Sequence, residues 1–121
     1  MKLFRIDFYQ YLNNLEKEIK ENYRGEEVNT IYIGGGTPSA LSIEALKRLF
    51  KIIKRFKQKK DTEITIEANS EDLTTQKLKL LQNHVNRLSV GVQTFDEKRL
   101  KEFLNLTTFS LGACITENCK D

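Results

Sequence analysis

Three glycines, a threonine, a glutamate and a glutamine carry the chemistry this chain can offer. The run Ile31-Tyr32-Ile33-Gly34-Gly35-Gly36-Thr37-Pro38-Ser39 passes from a β-branched and aromatic strand into a glycine loop closed by the chain's one proline. Glycines reach φ > 0 and let bare N–H and C=O groups approach a bound group, while Pro38 fixes the exit path. With the hydroxyl of Thr37, the carboxylate of Glu67 and the amide of Gln93, such a loop suits a small polar ligand. Each residue also has an ordinary structural reading: Thr37 as a turn residue, Glu67 as a solvated carboxylate, Gln93 as a strand-end turn satisfier. A strand-end carboxylate commonly accepts hydrogen bonds from ribose hydroxyls. The loop is not G-x-G-x-x-G, however, so a nucleoside is compatible and a dinucleotide disfavoured.

The elements that must position these groups follow from hydrophobic period. Phe8, Tyr11, Leu12, Leu15, Ile19 and Tyr23 recur at helical spacing, which predicts an amphipathic helix over 8–23 that stops before Gly25. Residues 28–33 read as a strand. Ser42 is placed to N-cap a second helix, with Leu41 and Leu46 as a hydrophobic staple and Leu49, Phe50, Ile53 and Phe56 continuing the buried stripe. Residues 62–68 alternate polar and apolar as a half-buried strand does, and the cluster Asn69-Ser70-Glu71-Asp72 ends it. A helix over about 74–83 and a strand over 86–92 come next. Gln93-Thr94-Phe95 then leads to a helix N-capped by Asp96 that buries Leu100, Phe103 and Leu104, with Phe95 in the core. From Leu106 to Ala113 no helical or strand period is evident and no next strand is expected, so the chain divides into 1–105 and a divergent tail, 106–121.

Alternating strands and helices with short links imply parallel strands. The glycine loop, Glu67 and Gln93 then all fall at the C-terminal ends of successive strands. That edge is where α/β barrels and open α/β sheets place ligands.

Composition excludes little else. The 121 residues fit one soluble domain, and 20 basic against 17 acidic residues are too balanced to imply nucleic acid. Apolar runs are too short to cross a membrane, and the N-terminus lacks a signal-peptide core, so a cytoplasmic protein is expected. Lys47, Arg48, Lys51, Lys54, Arg55, Lys57, Lys59 and Lys60 make one helix locally basic. A solvated outer face is the ordinary explanation; association with RNA or an anionic membrane is the other. Cys114 and Cys119 are the only cysteines and read as reduced thiols in a loose tail. Two thiols and one histidine do not make a zinc site, and no metal ligand is expected.

Read together, GGGTPSAL, EITIEANSEDLT and VNRLSVGVQTFDEKRLKEFL resemble the oxygen-independent coproporphyrinogen III oxidase family of radical S-adenosylmethionine proteins, including its haem chaperone branch. The likeness is collinear from about Phe8 to Leu104, and the E-A-N and V-Q-T-F wording is nearer the haem chaperones. It implies a partial (β/α) barrel of about three parallel βα units plus an N-terminal helix. It also implies that Gly35, Gly36 and Thr37 meet the methionyl end of S-adenosylmethionine, while Glu67 and Gln93 help hold the nucleoside portion. Gly34 and Pro38 shape the loop. Asn69, Arg87 and Asp96 match family positions too, but a strand-end cap, a surface or packing arginine and a helix N-cap account for them equally well.

The family's chemistry needs a C-x3-C-x2-C loop whose thiolates hold a [4Fe–4S] cluster, and this chain has no such motif. The resemblance therefore implies a truncated or frameshifted member, inactive by itself, with no catalytic residues of its own. The cluster, and a haem or porphyrin partner, belong to the full-length family. Where the family places an arginine after Leu104 this chain has Asn105-Leu106-Thr107-Thr108, so any binding of S-adenosylmethionine is expected to be weak. Ser70 stands where proline is usual. His84 stands where glycine is usual and is expected to take a left-handed turn at modest cost, in a structural role. Open strand edges predict self-association. The rival reading is a non-catalytic module that binds another nucleotide or a protein partner through the same edge.

Overall fold

The computed structural model describes residues 8–92 and 112–117. Helix α1 (Phe8–Asn22) leads into strand β1 (Glu27–Ile33), a 3-10 turn (Pro38–Ala40) and helix α2 (Ile43–Ile53). Strand β2 (Lys57–Asn69), a second 3-10 turn (Ser70–Asp72), helix α3 (Thr75–Gln82) and strands β3 (Arg87–Val92) and β4 (Gly112–Glu117) follow. The strands are all parallel and lie in the order β1-β2-β3-β4.

Local sequence explains most boundaries. Gly25, at φ 91°, occupies the left-handed conformation that ends the run after α1. Ser42 caps α2 as expected, its hydroxyl accepting from the Ala45 amide at 3.1 Å, and the staple residues Leu41 and Leu46 are both buried. Thr74 caps α3 in the same way, accepting from the Lys77 amide. Leu12, Leu46, Leu49, Phe50, Ile52, Ile66, Leu78, Leu81, Leu88 and Val90 belong to one buried cluster, so the three helices share one face of the sheet. Phe8 and Tyr11, placed on the predicted stripe of α1, are exposed.

Four expectations need correction. The basic stretch is not one helix: α2 closes at Ile53, and Lys57, Lys59 and Lys60 lie in β2. Three of its cations also have internal partners: Arg48 and Arg55 reach Glu16 of α1 at 3.3 and 2.8 Å, and Lys59 reaches Glu27 of β1 at 3.6 Å. The Arg55 guanidinium is the main reason the Glu16 carboxyl sits below its usual value.

Strand β2 starts five residues before the predicted Thr62, although Lys57-Gln58-Lys59-Lys60-Asp61 has no apolar residue. Backbone pairing decides it. Lys57 and Gln58 pair with Glu27 and Val28, and the register then breaks, so that Thr30 faces Glu63. The buried Thr62 holds the bulge, its hydroxyl accepting from the Lys59 amide at 2.7 Å and donating to the Val28 carbonyl at 3.0 Å.

His84 does not take a left-handed turn, since among the described residues no non-glycine has positive φ. The turn closes through a right-handed Asn83 at φ −83°, and His84 stacks on Phe50 with ring centroids 4.6 Å apart. The expectation of no further strand after Leu106 also fails, because Gly112–Glu117 pairs with β3 as β4. Cys114 therefore stands in a strand opposite Ser89 rather than in a loose tail. Its segment has no alternating pattern long enough to betray a strand, and the ladder to β3 supplies what the side-chain pattern does not. The predicted helix at Asp96 with Leu100, Phe103 and Leu104, and the positions of Gln93, Phe95 and Cys119, lie outside the described residues.

Candidate functional site

Alternation along the strands sorts the sheet into two faces. Ile31, Ile33, Ile64, Ile66, Ala68, Leu88 and Val90 pack against the helices. The opposite face carries Thr30, Tyr32, Glu63, Thr65, Glu67, Arg87 and Ser89, with Tyr32 61% exposed. Arg87 pairs with Glu63 at 3.2 Å on that face.

The register continues off the end of β1 into the loop. Because Ile33 pairs with Ile66, Gly34 comes alongside Glu67. There is no room there for a side chain: a Cβ on Gly34 would lie 2.5 Å from Glu67 Oε1 and 2.7 Å from Tyr32 Cε1. Glu67 Oε1 accepts from the Gly35 amide at 3.1 Å, and Oε2 accepts from the Tyr32 hydroxyl at 2.6 Å. That hydrogen bond to the carboxylate, helped by desolvation and the carboxylate's charge, raises the phenol above its ordinary value. Gly35 and Gly36 follow at φ 80° and 85°, left-handed values that explain the glycines, and no atom lies within 4 Å of a Cβ built on either.

The far side of the loop is anchored separately. Thr37 is exposed, its carbonyl accepts from the Ala40 amide at 2.9 Å, and its side chain makes no capping hydrogen bond. Pro38 and Ser39 are buried. The Ser39 hydroxyl accepts from the Asn69 amide at 2.9 Å and donates to Asp72 Oδ2 at 3.1 Å, while Lys77 Nζ donates to the Ser39 carbonyl at 2.7 Å. The open stretch is thus held by Glu67 at its entry and by Ser39 at its exit. Asn69 serves as a strand-end cap, its side chain accepting from the Glu71 amide at 3.4 Å. The Ser70 hydroxyl is buried without a partner among the described residues.

Of the sequence-predicted site residues, Gly35, Gly36, Thr37 and Glu67 come to one edge, with Gly35 and Glu67 in direct contact. Gln93 lies outside the described residues. Sequence reasoning missed Tyr32 and Ser39. Tyr32 was detectable as the aromatic two residues before Gly34, on the face that alternation leaves free of the core; Ser39 gave no signal, since its burial depends on the fold. Among the described residues no three His, Cys, Asp or Glu side chains could hold a metal ion, and no helix is long and apolar enough to cross a membrane.

Comparison with known proteins matches the chain and its fold to one superfamily. A model of the radical SAM superfamily matches residues 6–109. The chain is 46% identical over 99 residues to the heme chaperone HemW of Bacillus subtilis, covering 77% of this chain and 26% of that protein. It is 36% identical over 94 residues to the oxygen-independent coproporphyrinogen III oxidase of Escherichia coli, covering 74% of this chain and 21% of the oxidase. The solved coproporphyrinogen III oxidase (HemN) of Escherichia coli, described as a radical SAM enzyme, superposes with a TM-score of 0.81 at 30% identity, over 91% of this chain and 30% of that one. The chain spans about a quarter of the length of the curated relatives it matches. Parallel strands, a helical layer on one face, a glycine loop at the C-terminal edge and these matches agree: the chain belongs to the radical SAM superfamily, in the group of the coproporphyrinogen III oxidases and haem chaperones.

Proposed function

We propose that the C-terminal edge of this sheet binds S-adenosylmethionine, with Gly35, Gly36 and Thr37 at the methionyl end and Glu67 and Gln93 at the nucleoside portion. The observation that carries this reading is the meeting of the Gly35 amide and the Glu67 carboxylate, 3.1 Å apart, at the end of parallel strands. The open space above Gly35 and Gly36 and the exposed Thr37 hydroxyl fit a small polar ligand laid along the loop.

In the superfamily an iron–sulfur cluster would supply the electron that cleaves the C5′–S bond of S-adenosylmethionine, releasing methionine and a 5′-deoxyadenosyl group. The residues of this chain do not fit the cluster: it needs three thiolates, and the chain has two cysteines, of which Cys114 lies within a strand. What its own residues supply is binding and orientation. Glu67 has about four acceptor sites, two of them taken by Tyr32 and Gly35, which leaves capacity for a ribose diol. The relatives' names carry heme and coproporphyrinogen, and a tetrapyrrole partner for this chain is the corresponding proposal.

Isothermal titration calorimetry of the full chain with S-adenosylmethionine tests the reading. Without the arginine the family places after Leu104, the expected Kd is on the order of 0.1–1 mM. Glu67→Ala should abolish the heat while leaving the helical circular dichroism intact. Equal binding by wild type and Glu67→Ala, or none by wild type, would remove S-adenosylmethionine from this edge.

A further inference from the structure

We infer that Tyr32 is the positioning residue of the glycine loop: through Glu67 it sets the conformation in which Gly35 presents its backbone, before any ligand arrives. What the positioned loop is for rests on the proposed function; the positioning itself does not.

The argument begins with exposure. Tyr32 is 61% exposed on the face of the sheet that none of the described helices covers, so its ring contributes little burial and its hydroxyl is the group with a structural partner. That hydroxyl donates to Glu67 Oε2 at 2.6 Å while the Gly35 amide donates to Oε1 at 3.1 Å. The two donors flank Gly34 in the chain and hold opposite oxygens of one carboxylate. Gly34 completes the seat, since a side chain there would strike Oε1 at 2.5 Å. The half-buried carboxylate is thereby fixed between the end of β1 and the loop. A bond between an aromatic hydroxyl and a carboxylate is charge-assisted.

Without the Tyr32 hydroxyl, Oε2 would take water as its partner, and water does not dictate a rotamer. The Gly35 tether would then be occupied part of the time. Gly35 and Gly36 have no side chains to resist a wider spread of loop conformations. Binding at the loop would have to order it first, which lowers affinity without removing any direct contact.

The experiment is a set of amide NMR spectra of the full chain labelled with 15N-glycine, comparing wild type with Tyr32→Phe and Glu67→Gln. In Tyr32→Phe the Gly35 resonance should move most among the glycines, in the direction of a lost hydrogen bond, with circular dichroism unchanged. In Glu67→Gln the Tyr32 phenol, followed through its own aromatic NMR resonances, should titrate closer to the ordinary tyrosine value. S-adenosylmethionine affinity in Tyr32→Phe should fall about three- to tenfold. An unmoved Gly35 resonance in Tyr32→Phe overturns the inference. If wild type binds no S-adenosylmethionine the proposed function falls, and the Gly35 resonance still decides the positioning role. If Tyr32→Phe fails to fold, the phenol titration in Glu67→Gln decides it: no shift there overturns the inference.

Discussion

The two faces of this sheet are built from the same strands and differ in almost everything else. On one side Ile66, Leu88 and Val90 are fully buried beneath three helices. On the other, Tyr32, Glu63 and Arg87 are exposed and polar residues replace aliphatic ones, with Thr65 buried where it pairs between Tyr32 and Arg87. Parallel sheets normally bury both faces and their strands read as continuous apolar runs. Here the strands alternate, as in Thr62-Glu63-Ile64-Thr65-Ile66-Glu67-Ala68. Stability is therefore drawn from one face, and the other is free to hold charge, hydroxyls and the foot of the glycine loop. A barrel interior packed with aliphatic layers could not offer Glu67 to a ligand.

The comparison breaks most sharply at Leu88. Leu88→Ala, on the buried face of β3, should cost about 2–5 kcal/mol in a denaturant titration, because the helices cannot collapse fully into the space. A loss no larger than that of Glu67→Ala would mean that the polar face carries the fold too.

Gly36→Ala tests the loop that joins the two faces. No atom would meet the new Cβ, so crowding is not the cost; the left-handed φ of 85° is, at about 1–2 kcal/mol, read in the same titration. An unchanged midpoint would show that the loop relaxes freely and is not held by Glu67 and Ser39.

The smallest effect concerns His84, on the helical side. Burial, with the nearby Lys54 charge adding to it, holds the imidazole below its usual 6.5, so protonation favours the unfolded chain. Its contribution is complete above that pH and declines as the pH falls from 6.5 towards the lower folded value. His84→Phe, which keeps an aromatic ring against Phe50, should flatten the slope of stability against pH in that window. A slope that persists would assign it to other groups.

Much of this architecture was legible in the chain. The helices over 8–22, 43–53 and 75–82 follow from apolar spacing and the cap at Ser42 from the short polar side chain that precedes it, whereas the cap at Thr74 emerged only from the structure. The convergence of Gly35 with Glu67 was legible as topology, because both end parallel strands. The polar start of β2 was not, since Lys57 to Asp61 pairs through backbone and carries no apolar pattern. Nor was the turn at His84: a glycine-like position suggested a left-handed residue, and stacking on Phe50 accompanies a right-handed solution.

The sequence by itself determined the alternation of elements, the position of the glycine loop and the residues at its edge, because these depend on local conformational preference and period. Tertiary structure decided which groups touch. That Tyr32 meets Glu67, that Ser39 is buried between Asn69 and Asp72, and that Thr62 holds a bulge are outcomes of register between strands. Register is fixed by the sum of many contacts across the sheet, and no local stretch of chain encodes it.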